Sequence, residues 1–260
     1  MLIIQAYENK TTPAWIQRCM ESVRSWAAAS GHDYRFSPSL FDLVPGWFRE
    51  RCGPEIGPMT DLGRLCLMQH WFDQGASPVV WIDADVLVFD PSNFYIPNGL
   101  GFLAIDEITV GCGADRVPVV LDRSVNGAVL GASRGNAMFA LYRDAIESLV
   151  HNAPEGRLPR TVAGPQLLSS LAKQHPIDCL TTVGLFTLPI LNDIAQGLEL
   201  MPRVFSQSFG HRVAAANLCH FFREIVVDSD VPHFDAIMEQ AINRLLESRG
   251  EDVNRYLPLR

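Results

Sequence analysis

The chain has 260 residues, 48% hydrophobic and 19% charged, a balance that describes a folded globular protein and excludes a disordered one. Its formal net charge of −8 excludes non-specific nucleic-acid binding, which rests on excess lysine and arginine. No window approaches the roughly 20 apolar residues of a membrane span, and Met1-Leu2-Ile3-Ile4 is too short for a signal-peptide core. The six cysteines (Cys19, Cys52, Cys66, Cys112, Cys179 and Cys219) form no C-x-x-C pair and read as reduced thiols. The expectation is a cytoplasmic protein, with a peripheral membrane contact left open.

Residues 2–6 read as an opening strand. Thr12-Pro13 starts a helix with apolar Ile16, Met20, Val23 and Ala27, and Gly31 stops it before a strand over 32–37. Residues 38–59, punctuated by Pro45, Gly46, Gly53, Pro54, Gly57 and Pro58, read as loop. Thr60 is placed to cap a helix running to Gln74, with Gly75 at its C′ position. A strand over 79–82 follows. This alternation predicts an α/β fold with a parallel, doubly wound sheet in the first half. Beyond it the pattern suggests a strand over 101–105, a glycine-bearing loop over 109–118, a strand over 126–133 and a helix over 136–150. Gly164-Pro165 begins a helix through Lys173. Short strands are expected near 187–190, 198–204 and 217–222. A last amphipathic helix covers 234–248, with Ile237, Ala241, Leu245 and Leu246 on one face. No repeat or composition break divides the chain, so a single domain over 1–260 with a mixed second half is expected.

The most informative stretch is Pro78-Val79-Val80-Trp81-Ile82-Asp83-Ala84-Asp85-Val86. On a strand, Asp83 and Asp85 point to one face. Two adjacent carboxylates repel, and burial raises their pKa values unless a cation sits between them. The economical reading is a divalent ion, Mn²⁺ or Mg²⁺, at the carboxyl end of a strand, where open α/β sheets place ligands.

An aspartate pair after an apolar strand resembles the D-x-D element of nucleotide-sugar-dependent glycosyltransferases of the GT-A fold, a Rossmann-like α/β architecture. Four further segments resemble elements of retaining glycosyltransferase families 8 and 32. Thr60-Asp61-Leu62-Gly63-Arg64 is similar to the S-D-x-x-R of family 32, which contacts donor-sugar hydroxyls. Val125-Asn126-Gly127-Ala128-Val129-Leu130 resembles the N-x-G strand of family 8, although Asn-Gly-Ala replaces Asn-Ala-Gly. Gly164-Pro165-Gln166 resembles a family 32 Gly-Pro and the glutamine that family 8 sets beside the anomeric carbon. Leu218-Cys219-His220-Phe221 resembles the His-Phe that gives family 8 its third protein metal ligand, with His211 in reserve and Arg223 the nearest cation in place of the family's K-P-W. The resemblance runs from about residue 2 to 222.

The resemblance implies hexose transfer from a nucleotide-diphosphate sugar with retention. Its catalytic set is Gln166, Asn126 and Asp83. Its substrate-binding set comprises Ala6, Tyr7, Asp61, Arg64, Asp83, Ala84, Asn126, Gly127 and Gln166, with Ala6 and Tyr7 beside the base. Its metal set is Asp83, Asp85 and His220, Asp83 acting through water or on the ribose. Residues 1–105 would bind the nucleotide sugar, 106–232 the acceptor, and 233–260 would form a C-terminal helix and tail. A UDP-hexose donor is favoured and GDP-mannose is compatible; the acceptor is an unspecified glycan, lipid-linked or protein group. An inverting enzyme would instead need Asp106, Glu107 or Asp122 as general base. Two other classes are weighed. A non-catalytic sugar-nucleotide or glycan-binding module would share the fold and lack metal-dependent donor hydrolysis. A haloacid-dehalogenase-like phosphatase would continue its D-x-D to Gly-Thr, whereas Val86-Leu87 follows here, and Lys173 is the only lysine after Lys10.

Overall fold

The computed structural model describes residues 1–7, 11–99, 101–115, 117–154, 158–224 and 230–258. Strand β1 (Leu2–Ala6) leads into helix α1 (Ala14–Ala29), β2 (Asp33–Ser37), α2 (Gly46–Cys52), α3 (Ile56–Asp73), β3 (Val79–Ile82) and β4 (Val86–Val88). The long strands β5 (Phe102–Cys112) and β6 (Pro118–Ala132) follow, then α4 (Ala137–Asn152), α5 (Leu167–Ala172), β7 (Asp178–Leu180) and β8 (Val183–Leu185). The chain closes with α6 (Leu188–Gln196), α7 (Leu200–Phe209), β9 (Ala215–Asn217), α8 (Phe221–Glu224), α9 (Val231–Ser248) and α10 (Glu251–Asn254).

Six strands form the main sheet in the order β2-β1-β3-β6-β5-β7, and β4-β9-β8 form a smaller one. In the main sheet β6 alone runs against its neighbours; β1 pairs in parallel with β2 and β3, and β5 with β7. The fold is therefore α/β, an open and mostly parallel sheet with flanking helices and a mixed second half.

Strand alternation explains why β1 and β3 are apolar throughout. Ile4 and Trp81 face one core with Leu62, Leu65 and Met68 of α3, while Ile3, Val80 and Ile82 face the other with Val23 and Trp26 of α1. Gln5 is the polar exception, 0% exposed. Its amide donates to the Asp83 carbonyl at 3.0 Å, and its oxygen accepts from the Tyr34 hydroxyl at 3.0 Å. A third core gathers Phe186, Ile190, Phe205, Met238 and Leu245 under the C-terminal helices. Among the described residues no helix is long and apolar enough to cross a membrane.

Several expectations are corrected. The segment 38–59 is not loop: Pro45 precedes the first turn of α2, and Pro58 sits in the first turn of α3, where a missing N–H costs little. Thr60 lies inside α3 and donates its hydroxyl to the Ile56 carbonyl at 2.9 Å, so it is not the cap. Segments near 187–190 and 198–204 are helical. Buried Ile190, Leu191 and Ile194 in α6, and Met201, Phe205 and Phe209 in α7, follow helical spacing, and Gly197 and Gly210 end the two helices at φ 73°. Residues 217–222 hold only the last residue of β9 before α8 begins. Strands β5 and β6 run further than expected into the 109–118 region. Helix α9 buries Phe234, Met238, Ala241, Ile242 and Leu245, while Leu246 is exposed. The six cysteines are free thiols.

Candidate functional site

β3 stops at Ile82, and Asp83-Ala84-Asp85 form a turn before β4, so turn geometry and not strand alternation brings the two acids together. The Asp83 N–H donates to the Ala128 carbonyl at 2.7 Å, and the Val86 N–H donates back to the Asp83 carbonyl at 3.1 Å. With the Gln5 amide on the same carbonyl, the turn is fastened at the carboxyl ends of β1 and β3.

Asp83 has a counter-charge from within the protein. Its Oδ2 accepts from Arg64 Nη2 at 3.0 Å and its Oδ1 from the Trp81 indole at 2.6 Å. The same guanidinium donates through Nη1 to Asp61 Oδ1 at 2.9 Å, forking between two carboxylates. Arg64 and Asp61 meet because they stand three residues apart in α3. Burial pushes the Asp61 carboxyl up to about 6, held back by Arg64 and then Arg160. Burial also pushes Asp83 up, opposed mainly by Arg64.

Asp85 is gripped from the other side. Its carbonyl accepts from the Leu218 N–H at 3.0 Å and its Oδ2 from the His220 backbone N–H at 2.6 Å. Cys219 makes this approach possible with a left-handed backbone at φ 51°, while its N–H donates to Asn217 Oδ1 at 2.9 Å. The His220 ring lies edge-on to Tyr7 and tilted against Trp15, with Nε2 3.2 Å from the Tyr7 hydroxyl. Burial, reinforced by Asp85, raises the Cys219 thiol well above the ordinary range, so it stays protonated at neutral pH.

These groups open on one cleft of about 460 Å³. Of the residues singled out from sequence, Ala6, Tyr7, Asp61, Arg64, Asp83, Ala84, Asp85, Asn126 and His220 line it. Gln166 and Gly127 are not among its lining residues. Gln166 is exposed and donates to the Thr161 hydroxyl at 2.9 Å, whereas its neighbour Pro165 does line the cleft. Gly127 packs behind the wall, where a Cβ would come within 3.1 Å of Arg64 Nη1. His211 is exposed and stacks edge-on to Phe209, outside the lining. Asp106 pairs with Arg123 at 3.6 Å and Asp122 is exposed.

Arg160 was not singled out from sequence. It lines the cleft, sits 4.5 Å over the Phe221 ring and draws the Asp61 carboxyl down. Leu40, Phe41 and Ile56 add an apolar rim from the segment expected to be loop. An arginine between α4 and α5 carries no local signal for such a role; only packing brings it near Asp61.

No protein-family model matches the sequence, and no curated protein matches it either. Among solved structures the chain is similar to that of a glycosyltransferase involved in the glycosylation of the major capsid of PBCV-1. The similarity has a TM-score of 0.50 and covers 92% of this chain and 98% of that one, at 14% identity. At that identity the likeness is one of fold.

Proposed function

We propose that this chain is a metal-dependent glycosyltransferase that moves a hexose from a nucleotide-diphosphate sugar to an acceptor with retention. The observation that carries the reading is the cleft at the carboxyl ends of β1 and β3. There the Asp83–Asp85 turn, the Asp61–Arg64 pair, Asn126 and His220 face one space, drawn from segments up to 159 residues apart (220 − 61). The fold shared with a glycosyltransferase supports it.

Among the described residues no group of three or more His, Cys, Asp or Glu side chains stands together as a self-sufficient metal site. The ion in this reading is Mn²⁺ or Mg²⁺; Mg²⁺ is characteristically held by one or two carboxylates plus substrate phosphates and water. Asp85 and His220 would hold it, because Arg64 and Trp81 already occupy the oxygens of Asp83. Held there, such an ion would supply a counter-charge for the departing diphosphate.

The chain's own residues supply orientation. Arg64 opposes the upward push of burial on Asp61 and Asp83 and holds both toward the sugar and ribose, and Asn126 offers its amide to the sugar. Tyr7, beside His220, borders the base. In this reading residues 1–105 bind the donor, while 106–232 contribute Asn126, Arg160 and His220 and receive the acceptor. UDP-glucose or UDP-galactose is the favoured donor and GDP-mannose the next to try. The reading assigns no role at the anomeric carbon to Gln166, whose amide is engaged by Thr161 on the exposed side.

The test is a thermal-shift panel of nucleotide sugars with and without Mn²⁺. A donor at about 100 times its Kd adds about 2.7 kcal/mol of stability. Asp85→Asn is expected to abolish the Mn²⁺-dependent part and leave the ligand-free melting temperature close to wild type. An unchanged shift in that variant removes Asp85 from the metal site, and a flat panel with the wild-type chain overturns the reading.

A further inference from the structure

Glu107 lies in β5 opposite Ser124 of β6 and is 3% exposed. Its Oε1 accepts from Asn126 Nδ2 at 2.8 Å and from the Ser124 hydroxyl at 3.3 Å. Its Oε2 is sealed from solvent with no hydrogen-bond partner among the described residues. Burying a carboxylate in this way is costly, so a fold that tolerates it obtains something from the other oxygen. Burial pushes the carboxyl up to about 7, eased first by the Asn126 bond. The acids acting on it are Asp122 and Asp106 of the same ribbon, and it acts in turn on the Cys219 thiol.

What the other oxygen secures is the orientation of Asn126. That side chain is clamped twice, Nδ2 to Glu107 and Oδ1 receiving the Ala128 N–H at 2.9 Å. Flipping the amide would set its NH₂ against an N–H and its oxygen against a carboxyl oxygen. A single flip state survives, leaving the second Nδ2 hydrogen and the second Oδ1 lone pair available. Asn126 lines the cleft, whereas Glu107 is not among the lining residues.

We propose that Glu107 is a positioning residue that locks the Asn126 amide in one orientation at the cleft wall and so sets how that amide meets a bound sugar. The clause about the sugar rests on the function proposed above; the locked amide does not. Glu107 thereby acts through Asn126 and is not the general base of an inverting reaction.

The test follows the Asn126 side-chain amide by ¹⁵N NMR of the whole chain, its resonance pair identified by its loss in Asn126→Asp. In the wild type one Nδ2 proton is expected to be shifted downfield and protected from exchange. Glu107→Gln, which keeps an acceptor in place, retains this signature, and Glu107→Leu loses it. An unperturbed pair in Glu107→Leu overturns the proposal. Should Glu107→Leu not fold, the wild type still decides. Raising the pH through about 7 ionises Glu107 and moves the Asn126 pair, a titration expected to vanish in Glu107→Gln. A wild type in which neither Nδ2 proton is shifted or protected from exchange refutes the lock, whatever the pH at which Glu107 ionises.

The sugar clause is read separately. Affinity for the intact nucleotide sugar should fall about tenfold in Glu107→Leu, the loss of about one hydrogen bond. Affinity for the nucleoside diphosphate alone should not change, and Glu107→Gln should restore the difference. If the wild type binds no nucleotide sugar, the proposed function fails while the NMR signature still tests the lock. Equal losses for both ligands would show damage to the cleft and overturn the role toward the sugar.

Discussion

A side chain at position 164 would collide with the acid it faces. A Cβ there would stand 2.8 Å and 3.0 Å from the two carboxylate oxygens of Asp61, and the Gly164 backbone bends sharply at φ −89°, ψ −109°. The carboxylate cannot retreat, because Arg64 holds it from behind and also holds Asp83. Gly164→Ala is therefore expected to displace Asp61 from Arg64 and to cost about 1–3 kcal/mol, the range for forcing atoms into a packed site. Urea unfolding would measure it, and a variant as stable as wild type would show that Asp61 is free to move. The Gly164-Pro165 motif was visible in the sequence, yet its partner lies about a hundred residues upstream. What the motif accomplishes could be seen only when the two met.

Helix ends test the local readings directly. Asn136 caps α4, its Oδ1 accepting from the Phe139 N–H at 2.9 Å. Thr60, expected from the sequence to cap α3, instead donates backwards within that helix. Asn136→Ala should cost about 1 kcal/mol, whereas Thr60→Ala should be within about 0.5 kcal/mol of neutral because a helix-interior threonine gives way to a better helix former. Equal losses in a denaturant series would contradict the assignment of one as a cap and the other as interior. The difference arises because α3 begins four residues earlier, where Ile56, Gly57 and Pro58 carry weak local helix signals. Packing of Met59, Leu62 and Leu65 into the core under Trp81 carries the helix through them.

The whole molecule binds protons at sites its unfolded chain would not. Glutamate in an unfolded chain ionises near pH 4.3, but burial raises Glu107 to about 7. A carboxyl raised on folding contributes stability that is full below its unfolded pKa and disappears as pH climbs through its folded one. Asp61, raised to about 6, adds the same sign. Relative to wild type, Glu107→Gln should thus gain stability between about pH 4 and 7, levelling off beyond, by on the order of 3–4 kcal/mol over the whole interval. Paired urea titrations at pH 5 and 8 measure this, and a difference that does not change with pH would place Glu107's ionisation in the ordinary range. Periodicity by itself determined the alternating α/β order, strands β1 and β3, helices α1, α4 and α9 and the identity of the acid pair, because each depends on neighbours within a few residues. Tertiary structure alone decided that 188–196 and 200–209 coil as helices, since short apolar runs suit either state until a core selects one. It also decided that Arg64 joins Asp61 to Asp83, that Glu107 clamps Asn126 and that Arg160 overlies Phe221. Those contacts depend on how separate elements pack, and no local pattern records that distance.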